Sequence, residues 1–172
     1  ALTSATDDLA VLPIEGIRKA YNAERAWWNE IKPAMGNVSE LSVMGPVRDV
    51  PVRIYYPLNS DNGPTLLYLH GGGWVVGNLD THDRVMRLLA ELSGARVVGV
   101  DYALAPEYKF PVAINEIIAV IDWLQVEGAD HGLDVSRLGL GGDSAGANMA
   151  VAVTQLCHQK KADLIGFLLL YY

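Results

Sequence analysis

Cysteine is almost missing from this chain: Cys157 stands alone among 172 residues. No intrachain disulfide can form, which points to a reducing compartment. Positive charge is scarce as well, with 13 Lys and Arg against 20 Asp and Glu and a formal net charge of -7. That sign is wrong for a surface that neutralises phosphates, so a nucleic-acid partner is not expected. Long apolar runs are lacking too. The longest, Ile165 to Tyr172, is too short to span a bilayer. The opening "ALTSATDDLA" has no basic stretch followed by an apolar one, so no signal peptide is expected; it also lacks an initiator Met, so the start reads as trimmed. Repeats and low-complexity tracts are absent. With 51% hydrophobic and 19% charged residues the chain should fold, as one cytoplasmic domain with a genuine core.

What is present alternates between two periodicities. "IEGIRKAYNAERAWWNEI" carries Ile14, Ile17, Tyr21, Trp28 and Ile31 at spacings of three and four, one apolar face of a helix. "VRIYYP" reads as a strand and "SDNG" as the turn after it. "TLLYLH", "ARVVGVDY", "RLGLGGDS" and "LIGFLLLYY" are apolar runs suited to strands covered on both faces. Between them lie helical patterns. "DTHDRVMRLLAELSG" has Asp80 or Thr81 as N-cap and Gly94 as stop, and "VAINEIIAVIDWLQVEG" points Ala113, Ile117, Val120, Ile121 and Leu124 inward. "AGANMAVAVTQLCHQK" is a helix of mostly small residues. Such alternation predicts an α/β fold with a parallel sheet sandwiched by helices. The most apolar strand comes last, and an apolar edge invites aggregation, so further chain is expected to cover it.

Two glycine-rich turns sit at predicted strand ends, where open parallel sheets bind ligands. One is "HGGGW", His70 to Trp74. The other is "GGDSAG", which holds G-x-S-x-G as Gly142-Asp143-Ser144-Ala145-Gly146 between a strand and a helix. In that context the serine projects from a strained turn, and Gly142 and Gly146 let strand and helix pass close to it. Acyl transfer needs backbone N–H groups aimed at the oxygen that becomes negative, and a side chain there would stand in the way. The Ala145 amide, at a helix N-terminus, offers one such donor. Asp143 is expected to support the elbow or the glycine loop.

The blocks "HGGGW", "DYALAPEYKFP" and "GDSAG" resemble those of the hormone-sensitive-lipase-like branch of the α/β-hydrolases, the bacterial family IV carboxylesterases. "GNLDTHDRVMRLLA" is similar to the enterobacterial acetyl esterase subgroup. The likeness covers most of the chain and is strongest from Tyr68 to Ala150. It implies a mostly parallel three-layer sandwich, with residues 1–36 as an N-terminal cap or lid and 37–172 as the first part of the catalytic domain. It implies Ser144 as nucleophile, an oxyanion hole from Gly71, Gly72, Gly73 and Ala145, and His70 supporting the loop. Substrates would be small esters with acyl chains from acetyl to hexanoyl, hydrolysed without metal or organic cofactor, in a monomer or a homo-oligomer. Trp74 stands where Phe is commoner, Ala103 where Arg is, and Ala147 where Gly is; the first two bear on the pocket mouth and the supporting loop.

A serine needs a base, and in this fold the acid and histidine follow the nucleophile. After Ser144 come only His158 and Asp163. His158 lies about 21 Å along the same helix at 1.5 Å per residue, out of reach. The resemblance therefore places both partners beyond Tyr172, in the same or a second chain, and residues 1–172 alone should not turn over ester. Asp80, His82 and Asp83 read as a polar helix start rather than a metal site. Cys157 reads as a core residue rather than a nucleophile. Trp74 and Trp28 are candidates for pocket lining, Trp28 equally for plain packing. A dinucleotide fingerprint fails because Ser144 stands where the third glycine belongs, and a P-loop fails because Ala147 and Asn148 replace Lys and Ser or Thr. The surviving alternative is a non-catalytic regulatory or interaction module on a hydrolase scaffold.

Overall fold

The computed structural model describes residues 13–59, 63–160 and 163–172. Its centre is a six-stranded sheet in the order β1-β2-β4-β3-β5-β6. The strands are β1 (Asn37–Met44), β2 (Asp49–Tyr56), β3 (Pro64–Leu69), β4 (Arg96–Val100), β5 (Asp134–Asp143) and β6 (Phe167–Tyr171). β1 runs antiparallel to β2, and β2 antiparallel to β4. β4, β3, β5 and β6 are mutually parallel. The helices are α1 (Ile14–Ala26), α2 (Asp83–Ser93), α3 (Val112–Glu127) and α4 (Ala145–Lys160).

Side-chain alternation along the central strands sorts the core into two layers. Ile54, Leu67, Leu69, Val98, Val100, Leu138 and Leu140 share one buried cluster with Ile117, Val120, Ile121 and Leu124 of α3 and Met149, Ala150 and Val153 of α4. Their chain neighbours Tyr55, Leu66, Tyr68 and Val97 face the other side, against Met86 and Ala90 of α2. The architecture is thus an α/β three-layer sandwich around a mostly parallel sheet, as the alternation predicts.

Four local expectations are corrected. β1 is a strand the sequence reading passes over, because Val38 falls out of step with Leu41 and Val43 and only Val43 is buried. The first helix does not run to Ile31: α1 ends at Ala26 and Trp27–Asn29 form a 3-10 turn, leaving Ile31 80% exposed. α2 starts at Asp83, not beside Asp80 or Thr81, because Asn78 Oδ1 accepts from the Asp80 and Thr81 amides and folds them into a preceding turn. It does end at Gly94, with φ 72°. On α3 the buried set takes in Ile114 and Glu116, while Ala113 is half-buried. Glu116 is wholly buried because Arg48 reaches it at 3.0 Å and the Ala103 amide donates to it at 2.7 Å. Of the predicted "SDNG" turn, residues 60–62 lie outside the described residues.

Candidate active site

β3 and β5 are hydrogen-bonded neighbours with Leu69 beside Gly142, so the two glycine-rich turns leave the sheet at adjacent points. Ser144 links β5 directly to α4 with φ 50°, a left-handed backbone that non-glycine residues rarely adopt. It is exposed. Its amide donates to the Tyr171 carbonyl of β6 at 2.9 Å, and its carbonyl accepts from Asn148 one turn into α4 at 3.0 Å. Ala145 is the first residue of α4, where helix N–H groups have no partner inside the helix. Gly146 is where the helix passes the sheet. A Cβ there would lie 2.6 Å from the Leu69 carbonyl carbon and 2.8 Å from the His70 carbonyl oxygen, and one on Gly142 would lie 2.6 Å from the carbonyl carbon of Gly146.

The loop after β3 has an unusual backbone: Gly72, Gly73 and Trp74 take φ values of 130°, 59° and 63°. Val75 and Val76 donate back to the Gly72 carbonyl at 3.1 and 3.0 Å, closing a tight turn. Asp143, the residue before Ser144, fastens this loop to β5. Its Oδ1 accepts from the Gly71 amide at 2.9 Å and from the Tyr68 hydroxyl at 2.8 Å, and its Oδ2 faces His82 Nε2 at 3.4 Å. Gly71 therefore leaves the expected donor set, since its N–H is already engaged; a Cβ on it would lie 2.9 Å from Asp143 Cγ. The amides of Gly72 and Gly73 make no hydrogen bond among the described residues. Burial opposes ionisation of Asp143, but the His82 ring, the Tyr68 hydroxyl and the Gly71 amide outweigh it and bring its pKa down to about 2.

His70 lies underneath, 1% exposed and stacked on Tyr102 with ring centroids 4.3 Å apart. Its Nδ1 sits 2.9 Å from the Gly71 carbonyl, which can only accept, so Nδ1 carries the proton and Nε2 is a buried acceptor without a partner among the described residues. Tyr102 donates to the His70 carbonyl at 2.5 Å. Burial pushes the imidazole pKa down to about 4, so the ring is neutral at pH 7. Sequence reasoning does not single out Tyr68 or Tyr102 as site residues, and it reads His82 only as part of a polar helix start. The contact of His82 with Asp143 joins distant points of the chain, and no local pattern announces it.

Trp28 and Trp74 line different cavities. Trp28, 47% exposed, borders one of about 410 Å³ together with Tyr68, His82, Asp143 and Tyr171. Trp74 borders a mostly apolar one of about 330 Å³ with Tyr108, Phe110, Asn148 and Met149. The remaining histidines are remote in role: His131 packs on Trp123, and His158 is in the last turn of α4. Among the described residues no cluster of His, Cys, Asp and Glu could hold a metal ion, and no helix is long and apolar enough to cross a membrane. Asp83 is instead bonded by Lys32, Tyr55 and Arg87, and Cys157 is buried in the core.

The chain is similar to known proteins over most of its length. It is 42% identical over 161 residues to an acetyl esterase of Salmonella choleraesuis, covering 92% of this chain and 49% of that relative. Among solved structures, an ester hydrolase from the Lake Arreo metagenome, complexed with a bipyridine phosphonate derivative, superposes with a TM-score of 0.90 at 37% identity, over 95% of this chain and 53% of that one. An esterase of Pyrobaculum calidifontis gives a TM-score of 0.85 at 31% identity, over 90% and 51%. The chain spans about half the length of the curated relatives it matches. A family model described as alpha/beta hydrolase fold matches residues 66–172, and with the sheet order and the two turns at its centre, the chain belongs to that family.

Proposed function

We propose that this chain carries the nucleophile and oxyanion hole of a serine carboxylesterase acting on short-chain acyl esters. Ser144 attacks the acyl carbon, and the amides of Gly72, Gly73 and Ala145 hold the oxygen as it becomes negative. Asp143, with Tyr68 and His82, fixes the loop against the elbow, and His70 supports it from below. A histidine oriented by a carboxylate, both supplied by sequence beyond Tyr172, takes the serine proton and passes it to the leaving alcohol; water then releases the acyl group. Residues 1–36, of which 1–12 lie outside the described residues, act as a cap and 37–172 as the first part of the catalytic domain. The observation that carries this reading is an exposed serine at φ 50° between β5 and α4, beside a loop tied to its own neighbour by the 2.9 Å bond from Gly71 to Asp143. The acetyl esterase and ester hydrolase relatives support the substrate class.

The test uses a fluorophosphonate probe and p-nitrophenyl acetate on the full-length protein and on residues 1–172 alone. The full-length protein should label at Ser144 and hydrolyse the ester, Ser144→Ala should do neither, and the 1–172 chain should not turn over. A full-length protein inert to both reagents would leave the scaffold reading standing instead.

A further inference from the structure

Four of the six residues from Gly72 to Gly77 have left-handed φ values. Three of them are glycines, which take such angles freely, but Trp74 at φ 63° is held there only because its surroundings over-determine it. From the inside, Asp143 and His70 hold the loop. From the outside it is held by a side chain of α1. Arg18 Nε donates to the Val75 carbonyl at 2.9 Å, and Nη2 donates to the Ala105 carbonyl at 2.9 Å. Nη1 and Nη2 also pair with the two carboxylate oxygens of Glu107 at 2.9 and 2.7 Å. Ala105 in turn donates its amide to the Trp74 carbonyl at 2.8 Å. One guanidinium thus ties together α1, the glycine loop and the segment after β4. α1 buries none of its residues, so these bonds are not a by-product of core packing.

We propose that Arg18 is a positioning residue for the oxyanion loop, acting through the carbonyls of Val75 and Ala105 to keep the Gly72 and Gly73 amides where the reaction needs them. The inference rests on the esterase reading and adds to it that the N-terminal helix contributes to turnover, not merely to covering the site. Oxyanion donors act through preorganisation, so a loop free to shift by fractions of an ångström loses rate more than substrate affinity. Three nitrogens in one planar fork serve four acceptor oxygens here. A lysine ammonium, a single point charge on a flexible stem, cannot reproduce that geometry. The Arg18 hydrogen bond holds the Glu107 carboxyl below its usual range, as expected of a carboxylate paired with a guanidinium.

The experiment compares the full-length protein with Arg18→Met and Arg18→Lys, each assayed well below its own melting midpoint. Steady-state hydrolysis of p-nitrophenyl acetate is paired with hydrogen exchange of residues 72–77. Arg18→Met should lower kcat about tenfold with KM within about twofold, and should speed exchange of the loop amides. Arg18→Lys should recover only part of both. A kcat within about twofold of wild type, or a raised KM with kcat intact, would overturn positioning, because a mere staple or a substrate contact gives those results. If Arg18→Met fails to fold, the lysine variant decides: wild-type rate and wild-type exchange refute the proposal. Exchange does not depend on catalysis. A wild-type protein without esterase activity but with the exchange difference intact would therefore defeat the esterase reading while leaving the clamp, and unchanged exchange would defeat the clamp.

Discussion

Acid should destabilise this protein through His70. The unfolded chain takes up a proton on this imidazole near pH 6.5, whereas the folded ring resists until about pH 4. Burial is the main cause; the hydrogen bond to the Gly71 carbonyl opposes it, the His82 ring, 5.4 Å away, also disfavours the charge, and Asp143 favours it. A pKa lowered on folding means that the unfolded state binds the extra proton. Stability is therefore full above about pH 6.5, falls as the pH drops toward 4, and levels off below it. A gap of about 2.5 units at about 1.4 kcal/mol each makes the whole loss about 3 to 4 kcal/mol, a large share of an ordinary domain's stability. The depressed carboxylates lose their contribution lower down. Asp143 stabilises fully above its unfolded value near pH 4 and ceases to do so as the pH falls through about 2. Urea unfolding at about pH 7 and about pH 4.5 separates the two effects. Wild type should lose roughly 2 to 3 kcal/mol between them, and His70→Phe, which keeps a ring against Tyr102 but cannot titrate, should lose much less. Equal losses in the two proteins would refute the assignment to this ring.

Two further perturbations follow from contacts described above. Gly146→Ala would drive a Cβ into the backbone of Leu69 and His70, and urea melts should show a loss of at least about 2 kcal/mol, whereas Gly73→Ala has nothing within 4 Å of the new atom and should cost only the strain of φ 59°, about 1 kcal/mol. Arg48→Met leaves the carboxylate of Glu116 buried without its partner and should cost about 3 to 5 kcal/mol; Arg48→Met with Glu116→Gln should recover most of it, and strict additivity in the double-mutant cycle would count against the pairing.

The sheet and its central helices were legible because their apolar periodicities are clean and the glycine turns sit at their junctions. Legibility fails where structure depends on contacts far apart in the chain. Glu116 looks like the polar face of α3 until Arg48 and the Ala103 amide are brought to it. His82 reads as a helix start, yet its ring faces Asp143. Arg18 is one more charge on a surface helix unless the carbonyls of Val75 and Ala105 are known to lie within its reach. Spacing alone puts Trp28 on a continuous helix; the helix stops earlier, and its long apolar face gives way to Arg25 and Asn29 contacts. The resemblance groups Gly71 with its two neighbours, and only the bond to Asp143 separates it from them.

The pairing of Leu69 with Gly142 has a bearing on how such a site can vary. Adjacent strands keep a separation of about 4.8 Å whatever side chains they carry. The distance between the departure points of the two loops is thus a constant of the peptide group, beyond the reach of substitution. Diversity among molecules built this way must come from the side chains around the two loops, while the span between their departure points stays the same.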